Sequence, residues 1–574
     1  MTINQAFKIL IIGYLSMLIT SCTLSKPKQE DKVTSNEVVK NWQKQKFSMF
    51  IHWGIYSIPA GVWNGKQVQG YSEQIKGHAR IQSEDYRKLT AEFNPDKWNP
   101  DSVALLAKKS GMRSIIMTAK HHDGFCMFAS EFTKFDVVDA TPYKKDIIKE
   151  MSDACKRYGL KFGVYFSLID WDYYGALPFT SVNNSDSIPP LHHKYNLNQI
   201  RELLSNYGDI SEFWFDMGSP TFKQSKEMAN LINKMQPNCL VSGRIWNDQG
   251  DFVVMGDNYT PKFKMGVPWQ TPASIFHETW SYRSWQERPS VEDKIKEKIE
   301  DLINIVSSGG NYLLNIGPKA DGMVVPFEKQ VLIGVGDWLS KNGEAIYGTN
   351  VSSIANQDWG FITTKNKKLY LHILNFPENN KLSIDGLMTN IKKAYPLSNS
   401  NVFLKSSISD KGLDVYLTDE LNKDKYATVV VLEYDDELKY VPSNLIIPNE
   451  DNIFVLLSDN SEKYHSYSGH DYYSSKPTIV KMKWYLSGNT KDICEINIIS
   501  SAKDIKSLKL SINNNVCLLP NQNSNNSLNK CFIRQTLNNV NFYSDKINEI
   551  ELSYEDKSNP HKGLNIEDLK ISIK

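Results

Sequence analysis

Charge of one sign is scarce in this 574-residue chain: 66 Lys and Arg stand against 65 Asp and Glu, leaving a formal charge of +1. So balanced a chain has no global field to concentrate nucleic acid, and the lysine runs near 365–368 and 504–509 read as solvated faces. Cysteine is sparse as well. The seven, Cys22, Cys126, Cys155, Cys239, Cys494, Cys517 and Cys531, include no short spacing that makes a metal knuckle or a redox pair. No Gly-rich fingerprint follows the first strand-like run, which argues against a dinucleotide site. "GGNYLLNIGPKADG" (309–322) lacks the Gly-Lys-Ser/Thr ending of a phosphate loop. No cofactor is therefore expected. The apolar run "ILIIGYLSMLIT" (9–20) is too short for a secure membrane span.

That run does suit a processed signal. Lys8 precedes it, "SC" ends it at Cys22, and the polar "SKPKQEDK" follows. "LITSC" resembles a bacterial lipoprotein signal, in which the cysteine becomes the lipidated first residue; an ordinary secretory signal is the alternative. Either reading places the working protein outside the cytoplasm, and the first ties it to the membrane through a lipid on Cys22, in the outer membrane or periplasm.

Length alone implies several domains. Residues 1–22 read as the signal segment and 23–39 as a linker. From 40 to 345, short apolar runs alternate with amphipathic stretches. Strands are expected at "FSMFIHWG", "RSIIMTAKHH", "LKFGVYFSL", "SEFWFDMG", "CLVSGR", "DFVVMGD" and "NYLLNIG", with an eighth near "SIFHETW". Helices are expected near 144–158, 195–207, 222–235, 291–307 and 326–341. Such alternation predicts a parallel sheet with crossovers, and eight runs point to a (β/α)8-like barrel. After 350 the texture turns to strand-like pieces between Asn, Asp, Gly and Ser turns. It predicts a β-sandwich over 346–445 and an accessory β-rich domain over 446–574, either carbohydrate-binding or structural.

Polar residues of the first region cluster where the apolar runs stop: His52, Lys120, His121, His122 and Asp123, Tyr165, Asp216 and Arg244. In a barrel the C-terminal strand ends face the active mouth, so these side chains can surround one small hydroxyl-rich ligand. A metal reading of "HHDG" is weaker, because adjacent residues on an extended strand point to opposite faces and no partner completes a zinc signature. Aspartate, histidines, arginine and aromatics without a cofactor motif suit glycoside hydrolysis, in which one carboxyl attacks carbon or activates water and a second manages the leaving-group proton.

Five ordered motifs, "FIHWGIYSIPAG", "TAKHHDGFCMF", "FGVYFSLIDW", "FWFDMG" and "GGNYLLNIGPKADG", together resemble the alpha-L-fucosidases of glycoside hydrolase family 29, over about 47–345 and less specifically through "LSKNGEAIYGT". The resemblance implies a retaining exo-enzyme on a barrel followed by a β-sandwich, acting on fucosylated oligosaccharides or glycoconjugates. By the same resemblance Asp216 is the nucleophile. His52, His121 and His122 bond the sugar hydroxyls, Tyr165, Trp214, Arg244 and Trp280 shape the pocket, and Glu73 in "GYSEQI" sits at its edge beside Gln74, where an aromatic is common.

The proton donor is the open point. In "PWQTPASIFHETW" (268–280), Gln270 takes the place where some family members carry a glutamate. Glu278 is then the first candidate acid/base, Asp257 in "GDFVVMGDNY" its rival, and His277 a weaker third. A hydrolase of the same fold acting on alpha-L-galactosides, and a noncatalytic fucose-binding surface lectin, are the alternative functions.

Overall fold

The computed structural model describes residues 36–573, apart from 180–185 and short stretches after 418, the longest being 468–477, 519–530 and 555–569. The signal segment with Cys22, and the linker up to 35, lie outside the described residues.

Eight parallel strands form the first sheet: β1 (Phe47–Ile51), β2 (Ser114–Lys120), β3 (Lys161–Ser167), β4 (Ile210–Asp216), β5 (Leu240–Val241), β6 (Val253–Val254), β7 (Trp269–Ser274) and β8 (Asn311–Ile316). Their order is β5-β4-β3-β2-β1-β8-β7-β6, and a parallel bridge between Ser242 and Phe252 joins the two edges and closes the curl. The expected barrel is present.

Seven helices matter here: α1 (Asn36–Gln43), α2 (Pro100–Lys109), α3 (Ile147–Tyr158), α4 (Pro190–Asn206), α5 (Phe222–Met235), α6 (Val291–Ser307) and α7 (Pro326–Asn342). Local chemistry sets their ends. Asp146 caps α3 by accepting from the Lys149 amide, and Gly159, at φ +69°, ends it in the left-handed conformation that glycine adopts without strain. α1 and α2 were not anticipated.

Period-two alternation divides the strand residues between two cores. Met49, Ile51, Val164, Phe166, Phe213 and Phe215 face outward into the large cluster beneath the helices. Phe50, Ile116, Tyr165, Trp214, Leu240, Val254 and Leu313 face inward and fill the barrel. Trp42 of α1 plugs the floor: its ring stacks on Phe252 at 4.3 Å and its indole N–H donates to Glu212 Oε2 at 2.9 Å.

The seventh strand departs from expectation. It is Trp269–Ser274, so of "SIFHETW" only the serine is in the strand and "IFHETW" forms the turn beyond its C-terminal end. Pro272 hides it from a sequence reading, since proline rarely sits in a central strand. Here β7 pairs with β6 only at Trp269 and Gln270. By Pro272 that ladder has ended, and its carbonyl accepts instead from the Asn258 amide, so the missing N–H breaks no rung.

After the barrel, a five-stranded sheet (Asn350–Val351, Gly360–Lys365, Lys368–Ile373, Thr428–Glu433, Lys393–Pro396) and a three-stranded one (Lys381–Asp385, Gly412–Tyr416, Lys405–Ser409) enclose a core of their own around Trp359, Leu371, Ile384, Leu413 and Val430. This is the expected sandwich. Beyond it lie a four-stranded sheet and a seven-stranded one. The latter also takes in Lys264–Met265, a strand from the barrel region that crosses the expected boundary.

Candidate active site

β4 carries the central carboxylate. Glu212, Trp214 and Asp216 alternate inward, so Asp216 reaches the mouth at the last position of the strand. Its Oδ2 accepts from the Tyr165 hydroxyl at 2.7 Å, and its Oδ1 accepts from Arg244 Nη1 at 2.8 Å. His122 Nε2 lies 3.8 Å from Oδ2. Burial pushes the Asp216 carboxyl up, but Arg244, His122 and the Tyr165 bond outweigh it and hold the group below its ordinary value. It is an ionised, aimed carboxylate.

The same guanidinium reaches a second acid. Arg244 Nη2 donates to Asp257 Oδ1 at 2.7 Å and to the Met255 carbonyl at 3.1 Å. The Trp280 indole also hydrogen-bonds Asp257. Burial raises the Asp257 carboxyl, and the charge of Asp216 adds to the rise, while Arg244 and Trp280 oppose it. Asp257 is the more open of the two, at 21% side-chain exposure against 9% for Asp216, so it is better placed to meet a leaving group arriving from solvent. One guanidinium can serve two carboxylates only when they are close, and retaining glycosidases hold theirs about 5 to 5.5 Å apart.

Glu278 is not brought to this cluster. It is exposed beyond β7 and accepts from Gln286 Nε2 at 3.2 Å; among the described contacts none joins it to Asp216, Tyr165 or Arg244. His277 is also exposed and faces Glu297 at 3.8 Å. The strand that was to deliver Glu278 to the mouth ends at Ser274.

Gln270 lies deep. Fully buried, it accepts from Trp214 Nε1 at 3.0 Å, while its amide nitrogen has no hydrogen-bond partner among the described residues; nearby Glu212 is pushed up to about 7 by burial, against the bond from Trp42. Glu212, Gln270 and Trp42 thus form a polar layer beneath the pocket that supports Trp214. Arg244 sits over that indole, 5.0 Å from the ring centroid.

The histidines arrive as expected, for a reason that the strand pattern hid. β2 ends at Lys120, and the chain turns at 121–124, closed by the Gly124 amide on the His121 carbonyl at 3.1 Å. Gly124, at φ +85°, has no room for a side chain: a Cβ would lie 2.3 Å from Asp170 Oδ1. On that turn His121 and His122 lie side by side, with ring centroids 4.1 Å apart. His122 Nδ1 meets Ser167 Oγ at 2.7 Å, while His52 Nδ1 meets Asn315 Oδ1 at 2.8 Å. Burial drives all three below the ordinary histidine value, His52 and His122 to about 4, so at neutral pH they are uncharged hydrogen-bonding groups. His121 stacks on Tyr165 at 5.4 Å, Tyr165 stacks on Trp214 at 5.6 Å, and Trp280 closes the side beside His52 at 5.1 Å.

Glu73 accepts from the Trp280 and Ser281 amides at 3.2 and 3.0 Å; its second oxygen, Oε1, is buried without a protein partner, and burial lifts the carboxyl to about 7. Gln74 is buried beside it. Lys120 and Asp123, expected among the mouth residues, turn away: Lys120 lies among Asp170, Asn196 and Phe166, and Asp123 accepts from the Tyr86 hydroxyl at 2.8 Å. Asn315 was missed, although its place one pleat beyond inward-facing Leu313 signals it. It orients His52 and donates to the Trp280 carbonyl at 2.6 Å.

A parallel barrel whose mouth holds one ionised and one raised carboxylate among neutral histidines and aromatic walls defines the site of a barrel glycoside hydrolase. A family profile described as alpha-L-fucosidase matches residues 18–344, more than half of the chain. The chain belongs to the alpha-L-fucosidase family. Rat tissue alpha-L-fucosidase is 29% identical over 372 residues, spanning 60% of this chain and 78% of its own, and human plasma alpha-L-fucosidase is 30% identical over 59% and 77%. Among solved structures, a Bacteroides thetaiotaomicron alpha-L-fucosidase trapped as a covalent intermediate with 2-fluoro-fucosyl fluoride, using a Glu-to-Gln variant, superposes with a TM-score of 0.64 at 26% identity, covering 71% of this chain and 98% of its own. The alpha-L-fucosidase of Vibrio sp. strain EJY3 superposes with a TM-score of 0.66 at 26% identity over 94% of this chain and 98% of its own.

Proposed function

We propose that this protein hydrolyses terminal alpha-L-fucosyl residues from oligosaccharides or glycoconjugates with retention, through a covalent intermediate on Asp216, with Asp257 as acid/base. The sharing of Arg244 by these two carboxylates carries the reading, because it sets them together at the mouth, where burial and the charge of Asp216 raise Asp257 while Arg244 and its other partners hold Asp216 down. In the first step Asp216 attacks the anomeric carbon while protonated Asp257 gives its proton to the departing oxygen. In the second, Asp257 as carboxylate takes a proton from water, which attacks the same carbon and releases fucose.

His52, His121 and His122 supply uncharged donors and acceptors to the sugar hydroxyls. Trp280, with Trp214 and Tyr165 beneath, gives an apolar wall suited to the methyl group of a 6-deoxy sugar. An additional hydroxyl there would lose hydration without finding a partner, which disfavours an alpha-L-galactoside. An intact pair of carboxylates likewise disfavours a noncatalytic lectin. The family membership and the trapped fucosyl intermediate of the Bacteroides relative support the reaction. Release of 4-nitrophenol from its alpha-L-fucoside, compared with the alpha-L-galactoside, tests it: turnover of the first well above the second is expected, and fucose binding without turnover of either would contradict it.

We also propose that Cys22 carries a lipid anchor, on the strength of "LITSC". Mass spectrometry of the mature N-terminus tests this, with a lipid-modified cysteine at position 22 expected and an unmodified start elsewhere contradicting it.

A further inference from the structure

The chain between β6 and β7 leaves the barrel directly after Asp257. It runs out to the strand Lys264–Met265, which pairs in parallel with Glu462–Ser466 of the C-terminal domain, Lys264 opposite Tyr464 and Met265 opposite His465. The Gly266 amide continues the ladder by donating to the His465 carbonyl at 2.8 Å. Lys264 forms an ion pair with Glu462, and the Phe263 ring lies 4.6 Å from His465 and 5.7 Å from Tyr467. Tyr467, 4% exposed, belongs to the same apolar cluster as the barrel helices, and its hydroxyl hydrogen-bonds Tyr259, two residues from Asp257.

The inner end of this segment is pinned to β7. Asn258 donates its amide to the Pro272 carbonyl at 2.9 Å and accepts from the Ser274 amide at 2.8 Å, and the Tyr259 carbonyl accepts from Thr271 at 2.9 Å. At the outer end, among the described residues, the backbone pairing of Lys264, Met265 and Gly266 goes to the C-terminal domain, while Phe263, Met265 and Val267 also pack on the large apolar cluster. Gly266 shows how close the contact is: a Cβ there would lie 2.6 Å from Val480 Cγ2 and 3.2 Å from Tyr464 Cβ, so glycine leaves room for side chains of the C-terminal domain to pack directly on this strand. A free excursion of this length would carry a large backbone entropy, and strand addition removes much of that freedom. A sugar-binding module hung on a linker would need no shared sheet.

We propose that the C-terminal domain is a working part of the active site, in which the strand Glu462–Ser466 and Tyr467 position the segment that carries Asp257 and so set proton delivery to the leaving group. These are positioning residues. The inference rests on the assignment of Asp257 as acid/base.

Gly266→Ala, which wedges a methyl against Val480, and Gly266→Ala with Val480→Ala, which makes room for it, provide the test. The quantity is kcat/KM on two substrates: an aryl alpha-L-fucoside with a good leaving group, which needs little protonation, and an alpha-L-fucosyl disaccharide, which needs it. Gly266→Ala is expected to lose about tenfold or more on the disaccharide and less than about threefold on the aryl fucoside, and the double variant to recover most of the loss; full loss of a general acid costs about 10² to 10⁴. Lys264→Met, which removes the ion pair with Glu462 and the ammonium over the Tyr464 ring but keeps the backbone pairing, should give a smaller loss of the same selectivity and serves if Gly266→Ala does not fold. Equal losses on both substrates, or no loss, would overturn the proposal. Asp257→Asn measured alongside separates the two ideas: if it too is unselective, the acid assignment fails and takes the inference with it. If it is selective while the Gly266 and Lys264 variants are not, only the positioning role fails.

Discussion

Asp216 and Asp257 hang on opposite nitrogens of one guanidinium, at 2.8 and 2.7 Å. Arg244 is itself almost fully buried, so its charge is poorly screened, and the acid nearer to other donors takes the greater share of it. Asp216 adds the Tyr165 hydroxyl and the His122 ring, and is held ionised. Asp257 adds only the Trp280 indole and feels the charge of Asp216, so it keeps its proton to higher pH.

Removing the nucleophile should abolish turnover without unfolding the barrel. Asp216→Gly is expected to lower kcat by at least about 10³-fold on any fucoside. Azide, attacking from the face that Asp216 vacates, should restore part of the rate and give the inverted fucosyl azide, seen by NMR. Ordinary turnover in this variant would remove Asp216 from the mechanism.

Glu278 and Asp257 should behave differently. Glu278→Gln alters an exposed side chain bonded to Gln286, and kcat/KM on a fucosyl disaccharide should stay within about threefold of wild type. Asp257→Asn should cost about 10² to 10⁴ on the same substrate. The reverse result would restore Glu278 as the donor.

The pH profile of kcat/KM follows from the two shifts. Asp216 must be ionised, so activity falls as pH drops through its lowered value. Asp257 must be protonated, so activity falls as pH rises through its raised value. Asp257→Asn should flatten the alkaline limb. Glu73, lifted to about 7, also loses a proton as pH rises, but Glu73→Gln should lower activity and leave the limb in place. Loss of the limb in Glu73→Gln instead would assign the proton to Glu73.

Restoring a family-like glutamate at Gln270 should harm the protein. Q270E puts a second carboxyl against Glu212 in the barrel interior and removes the amide from that layer. A loss of about 2 kcal/mol or more in stability is expected by urea titration, with no gain in activity. Raised activity would show that position 270 reaches the leaving group after all.

Much of this site was legible because it sits where strands stop. His52, Tyr165, Asp216 and Arg244 follow apolar runs whose alternation is strong, and the barrel, sandwich and five main helices follow from the same periodicity. Pro272 concealed β7, and with it the depth of Gln270 and the exposure of Glu278. The turn at Gly124 concealed how adjacent histidines share one face. The pairing of Lys264 with Tyr464, and of Trp42 with Glu212, joins residues far apart in the chain, where local patterning carries no signal.

The most direct measurement is the anomeric configuration of the azide adduct formed by Asp257→Ala from 4-nitrophenyl alpha-L-fucoside. With Asp216 intact and the acid/base removed, azide should intercept the covalent intermediate and yield alpha-L-fucosyl azide, with net retention, while raising the turnover rate. No azide adduct and no acceleration, or the beta anomer, would contradict Asp257 as the group that works opposite Asp216.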